Sequence, residues 1–77
     1  MEQKQIDTLY YEIKDCLDFV IMLGDLKSTG VLHDRDPDID SFIYRDIAEK
    51  LTAKYAHLNI GIDYDNEYVF YDFTREG

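Results

Sequence analysis

Residues 59–73 read NIGIDYDNEYVFYDF, and their spacing decides the fold class. Apolar and polar side chains alternate on either side of Asp65 and Asn66, two residue types that tolerate positive φ. The stretch therefore predicts a β-hairpin with a two-residue turn, in which Tyr64 faces Glu67, Ile62 faces Val69 and Ile60 faces Tyr71. Ile60, Ile62, Tyr64, Val69, Tyr71 and Phe73 then share one face, assigned to the core. Asn59, Gly61, Asp63, Tyr68, Phe70 and Asp72 share the other, with the Phe70 ring covering Gly61. A two-stranded ribbon is marginal by itself, so it must lie on other elements or continue into a partner's sheet.

Those other elements read as helices. Ile6, Leu9, Tyr10, Ile13, Cys16, Leu17, Val20 and Leu23 recur at spacings of three and four, which predicts an amphipathic helix over about residues 2–23 that stops at Gly24. Its second half, CLDFVIML over residues 16–23, is apolar nearly all round, and Phe19 and Met22 point away from the main stripe. Cys16, Phe19, Met22 and Leu23 are accordingly the candidate self-association surface, with a second copy of the chain as the expected cover.

Residues 24–36 contain two glycines and no sustained period, so they read as a long loop with Val31 and Leu32 tucked inward. A second helix is expected over residues 37 to 57. Asp36 would cap it, Pro37 would take the first helical position, and Asp38 and Asp40 would meet the positive end of its dipole. Ile39, Ile43, Ile47, Leu51, Tyr55 and Leu58 form its stripe. The expected architecture is a single α+β domain spanning residues 1–77, two helices followed by a C-terminal antiparallel β-hairpin, completed by homodimerisation where its own core falls short.

Composition bounds what such a domain can do. Of 77 residues 45% are hydrophobic, too many for a chain kept disordered by charge. A core of this size supplies only about 3–5 kcal/mol, which makes a staple or a partner chain valuable. Cys16 is the only cysteine, so no internal disulfide can form, and a lone thiol suits a reducing compartment. Residues 1–5 show no cationic and apolar leader, and no run approaches the roughly 18 apolar residues of a membrane span. A cytoplasmic protein with no membrane contact is expected. With 17 acidic against 8 basic residues the net charge is −9, which repels phosphate backbones, so direct nucleic-acid binding is not expected.

The densest polar feature is residues 33–40, HDRDPDID. Counted from Asp34, its aspartates at Asp36, Asp38 and Asp40 fall at the third, fifth and seventh places of a calcium loop. The sixth place is Ile39 where the turn needs Gly, the twelfth is Arg45 where the ion needs a bidentate Glu, and Pro37 interrupts the loop. A solvated helix start explains the run better, and calcium binding through residues 34–40 stands as a rival. His33 beside Asp34 offers too few partners for a metal-dependent hydrolase, because His57 is the only other imidazole. Cys16 sits mid-helix between Asp15 and Asp18, which disfavours a thiolate nucleophile. With no phosphate-cradling glycine loop and no nucleophile elbow, neither catalytic residues nor a cofactor or metal are expected.

What remains is the placement of charge beside aromatics. Residues 34–40 carry a net −3 and residues 59–77 a net −4, while residues 41–58 sum to +1. A strand returning along the second helix would carry the hairpin tip about 20 Å toward the helix start. Asp63, Asp65 and Glu67 would then approach Asp34, Asp36, Asp38 and Asp40 as one acidic pole, with Tyr68 and Phe70 beside it. These nine residues are the candidate partner-binding site, and a basic protein surface is the partner their chemistry suits, such as that of a nuclease or other nucleic-acid-binding protein. At class level, a short acidic α+β chain with one cysteine and no catalytic set looks like the small inhibitors encoded by phages and mobile elements. Those include DNA-mimicking antirestriction and anti-CRISPR proteins and nuclease immunity proteins. The rival to this reading is a homodimeric structural or regulatory subunit whose charge only confers solubility.

Overall fold

Alternation in residues 59–73 and helical spacing before it produce the elements seen in a computed structural model, which describes residues 2–74. Helix α1 spans Gln3–Leu23, strand β1 Thr29–Asp34 and helix α2 Ser41–Tyr55. A short 3-10 turn, Ala56–Leu58, leads into strands β2, Ile60–Tyr64, and β3, Tyr68–Phe73. The chain is a small α+β domain with a three-stranded antiparallel sheet in the order β1-β3-β2.

Helix α1 opens with the Gln5 side chain accepting from the Glu2 N–H at 3.2 Å. It ends where expected, because Gly24 takes a φ of 67° and donates its N–H to the Ile21 carbonyl while Asp25 donates to Val20. Helix α2 starts later than the Asp-Pro-Asp signal predicts. Asp36 closes a separate turn: its Oδ1 accepts from the Asp38 N–H at 2.9 Å, and its carbonyl accepts from Ile39. Pro37 lies in that turn, and the helix cap is Asp40, whose Oδ1 accepts from the Phe42 N–H at 3.1 Å.

The loop assigned to residues 24–36 contains a strand, so the architecture is α-β-α-β-β rather than two helices followed by a hairpin. A β-bulge hides β1 from a period-two reading. The register slips between Val31 and His33, which puts Leu32 and His33 together opposite Val69 and displaces the alternation by one residue. Leu32 is buried, whereas Val31 is 56% exposed rather than tucked inward.

The hairpin pairs two residues away from the predicted register, with Tyr64 opposite Val69, Ile62 opposite Tyr71 and Ile60 opposite Phe73. Asp65 causes the shift. Its Oδ1 accepts from the N–H groups of both Glu67 and Tyr68, at 2.7 and 2.8 Å, and its own N–H donates to the Tyr68 carbonyl at 2.9 Å, which moves the two turn residues from Asp65 and Asn66 to Asn66 and Glu67. A slip of two returns every side chain to the same face, so Ile60, Ile62, Val69 and Tyr71 are buried and Tyr64 and Phe73 pack against them. Phe70, however, lies opposite Asp63, and Gly61 lies opposite Asp72.

Both helices cover one face of the sheet. Leu9, Ile13 and Leu17 of α1 and Tyr44, Ile47, Ala48, Leu51 and Tyr55 of α2 close over Leu32, Ile60, Ile62, Val69 and Tyr71. Burying side chains of this size stabilises by about 1.5–3 kcal/mol each before the entropy of ordering them is subtracted. Gly30 is required where β1 meets β3. A Cβ there would stand 2.5 Å from the buried Tyr71 ring, whose hydroxyl accepts from the Lys27 N–H at 3.1 Å.

Candidate functional site: the open sheet face and its acidic rim

Because both helices lie on one side, no other element among the described residues covers the other side of the sheet. Pairing arranges its outward residues in three rows. Asp34 stands opposite Tyr68, which is followed across the turn by Asp65; Val31, Phe70 and Asp63 form the second row; Thr29, Asp72 and Gly61 form the third. Phe70 is thus central, with Tyr68 and Val31 as apolar neighbours and aspartates on its remaining sides. None of these outward residues is basic. The bulge in β1 makes the arrangement possible: it turns His33 to the helix side, where its Nε2 meets Glu12 Oε2 at 3.2 Å, and leaves Asp34 on the open face.

Arg35 ties the two acidic segments together at one end of the sheet. Its Nη1 donates to the Asp65 carbonyl at 2.9 Å, and its backbone N–H donates to the Glu67 carbonyl at 2.8 Å. The guanidinium lies over the rings of Tyr44 and Tyr64, 5.1 and 5.3 Å from their centroids. The Tyr44 hydroxyl in turn accepts from the Asp36 N–H at 2.9 Å, which anchors the loop before α2. Residues 34–36 and 65–67 are therefore neighbours. Asp65 is held below the usual carboxylate range by the Glu67 and Tyr68 N–H groups, with Arg35 adding to the effect.

The nine residues predicted as partner-binding divide into two groups. Asp34, Asp63, Asp65, Tyr68 and Phe70 lie on or at the edge of the open face, with Glu67 beside them in the turn. Asp36, Asp38 and Asp40 lie on the loop leading into α2, with Asp36 and Asp40 turned onto backbone amides. Among the described residues, no group of three His, Cys, Asp or Glu side chains gathers to hold a metal ion. Two positions of the open face were not singled out from the sequence as candidate site residues. Asp72 shares the alternation of Tyr68 and Phe70, which was the available signal; Val31 depends on a bulge that leaves none.

The residues predicted for self-association sit on the second half of α1. Phe19, Met22 and Leu23 are 56%, 73% and 59% exposed, while Cys16 is half-buried against the core. No helix among the described residues is long and apolar enough to cross a membrane. No protein-family model matches the chain, and neither a curated protein nor a solved structure does.

Proposed function

We propose that the chain is a non-enzymatic interaction protein that engages a basic protein surface through its open sheet face and the adjoining loops at residues 34–40 and 65–67. The observation that supports this reading is the lattice of Phe70, Tyr68 and Val31 set among Asp34, Asp63, Asp65 and Asp72 without a basic residue. Carboxylates steer an oppositely charged surface toward the site and fix its register; the aromatic rings supply anchoring energy once water is excluded. A nucleic-acid-binding groove is the surface this pattern suits best, since its Lys and Arg side chains already receive phosphates and stacked rings. The specific form of the proposal is an inhibitor that occupies such a groove in a nuclease or other nucleic-acid-binding protein, in the manner of phage-encoded antirestriction, anti-CRISPR or immunity proteins acting in a host cytoplasm.

Capture from a host lysate, followed by elution with duplex DNA or single-stranded RNA, tests it. A partner released by nucleic acid and by salt, and retained poorly by the triple variant Asp34→Asn, Asp63→Asn, Asp72→Asn, is the expected result. A partner held equally by that variant, or indifferent to nucleic acid, overturns the inhibitor reading.

The exposure of Phe19, Met22 and Leu23 favours a second reading, a homodimer through α1. On that reading the protein sediments as a dimer at micromolar concentration and Met22→Glu returns it to a monomer. A wild-type monomer removes the reading.

A further inference from the structure

The two edges of the sheet are not equivalent. In β2 the residues turned away from β3 are Ile60, Ile62 and Tyr64, because Asn59 and Asp65 make the inward bonds to Thr74 and Tyr68. Thr52 of α2 takes both outward groups of Ile62, accepting its N–H at 2.9 Å and donating to its carbonyl at 3.2 Å. The Tyr64 N–H is satisfied by Asp63 Oδ1 at 2.8 Å. The middle of that edge, from Ile62 to the Tyr64 N–H, is thus occupied by the protein's own side chains.

The β1 edge carries no such closure. Ser28 accepts from the Phe73 N–H, and Gly30 stands opposite Tyr71, so Thr29 and Val31 turn their N–H and C=O groups away from β3. Among the described residues nothing bonds to those groups, and both residues are exposed. Thr29, Gly30, Val31, Asp65, Tyr68 and Phe70 line a groove of about 360 Å³ on the same side. An open backbone edge and the aromatic, acidic face thus lie side by side.

We propose that the β1 edge at Thr29–Val31 receives a short extended segment of the partner as a fourth strand, with alternate basic side chains laid onto the open face. The proposal rests on the basic-partner reading above and adds the mode of docking. Charge selects the occupant. Every second residue of the added strand lies on the open face, so basic side chains come beside Thr29 and Asp34 and reach toward Asp72 and Asp34, while the one opposite Val31 lays its aliphatic stem along the row of Val31 and Phe70. A Lys or Arg meets a carboxylate at those places, whereas a second copy of β1 would join two faces that each carry Asp34, Asp63, Asp65 and Asp72. The bulge after Val31 limits the ladder, so backbone bonds at Thr29 and Val31 set register and the charges and rings carry most of the affinity.

The test uses the intact protein and three blocked synthetic hexapeptides: KVKVKV, the same sequence N-methylated at alternate residues, and EVEVEV. Binding is followed by NMR with amide hydrogen exchange. KVKVKV is expected to bind in a salt-sensitive way and protect the Thr29 and Val31 amides. N-methylation on the bonding edge is expected to weaken it about tenfold, the loss of one or two backbone hydrogen bonds. Val31→Pro removes one outward N–H without touching the β3 ladder, so it should leave the fold intact by NMR and weaken KVKVKV to a similar degree. If KVKVKV binds and loses affinity in the Asp34→Asn, Asp63→Asn, Asp72→Asn variant, yet ignores N-methylation and Val31→Pro, edge docking is overturned and the basic-partner reading survives. Equal binding of EVEVEV overturns the charge selection, and binding of neither peptide overturns both. Thr29 and Val31 amides protected in a dimer of the protein alone would assign the edge to a second copy and overturn the proposal.

Discussion

The hydroxyl of Thr52 bonds both backbone groups of Ile62, accepting the N–H at 2.9 Å and donating to the C=O at 3.2 Å, so one side chain of α2 stands where a neighbouring strand would. Thr52→Val keeps the shape and removes the hydroxyl. With Ile62 buried, its amide is left without a partner, and the expected loss is about 1–3 kcal/mol by urea denaturation. Thr52→Ser, which keeps the oxygen, should lose much less. Equal losses in the two variants would mean that packing of the Thr52 methyl, not closure of the edge, stabilises the junction.

Gly30 and Tyr71 are coupled by space. The Cβ of Gly30→Ala would lie 2.5 and 2.7 Å from the Cε1 and Cζ ring atoms, and the ring is too buried to swing aside. An overpacking loss of about 1–3 kcal/mol is expected. Tyr71→Phe retains those ring atoms and should give no relief, whereas Tyr71→Leu removes them and should make the Gly30→Ala change nearly neutral in a double-mutant cycle.

Asp18 receives a hydrogen bond from the Tyr55 hydroxyl and an ion pair from Lys14 at 2.7 Å. Burial pushes the Asp18 carboxyl up, and these two donors outweigh it, holding the group below its ordinary value. A folded pKa below the unfolded one means that the contribution is complete above the ordinary carboxylate range and is lost as pH falls through the folded value. Tyr55→Phe is therefore expected to destabilise by about 1–2 kcal/mol at neutral pH, with the gap to wild type shrinking in acid. Burial, then the bond to Asp18, pushes the Tyr55 phenol far above the usual tyrosine range. An alkaline absorbance titration should show one tyrosine lagging, and Asp18→Asn should bring it back toward the others.

The hairpin tip has its own pH dependence. Asp65 is held low by the Glu67 and Tyr68 N–H groups, aided by Arg35, so the turn should remain intact through mild acid and open only as pH falls through the depressed value. NMR shifts of the Glu67 and Tyr68 amides against pH report it directly. Arg35→Gln should raise the midpoint and loosen residues 35–40 as well, since the guanidinium joins the Asp65 carbonyl to the rings of Tyr44 and Tyr64.

Much of this was legible in the sequence where a period persisted. The α1 stripe and its Gly24 stop follow from spacing and from the left-handed conformation that glycine supplies without strain. The inward face of the hairpin was also readable, since a slip of two residues leaves it unchanged. β1 was not readable, because a bulge puts Leu32 and His33 on one side and erases the alternation that marks a strand. The α2 start was misplaced because two Asp caps compete within five residues, and Asp36 is committed to a separate turn by its own bonds to Asp38 and Ile39 and by the Tyr44 hydroxyl one turn into the helix. At the candidate site, charge and aromatics were visible as composition. The approach of the hairpin tip to residues 34–36 followed from strand length, whereas the Arg35 tie between them and the free edge beside them are tertiary facts with no local signal.

The strand order β1-β3-β2 also dictates when the molecule can assemble. β1 and β2 never pair with each other; each is bonded only to β3, the last of the described elements. On a ribosome, residues 29–34 and 60–64 emerge with no strand to join, and the helices' apolar stripes still lack the Val69 and Tyr71 that complete the core. Docking of Val69 and Tyr71 then completes the ladder on both sides in one late event, joining stretches from opposite halves of the chain. Nascent chains that stop short of residue 68 therefore lack the entire sheet, and the interval before β3 appears is when chaperones have the most to cover.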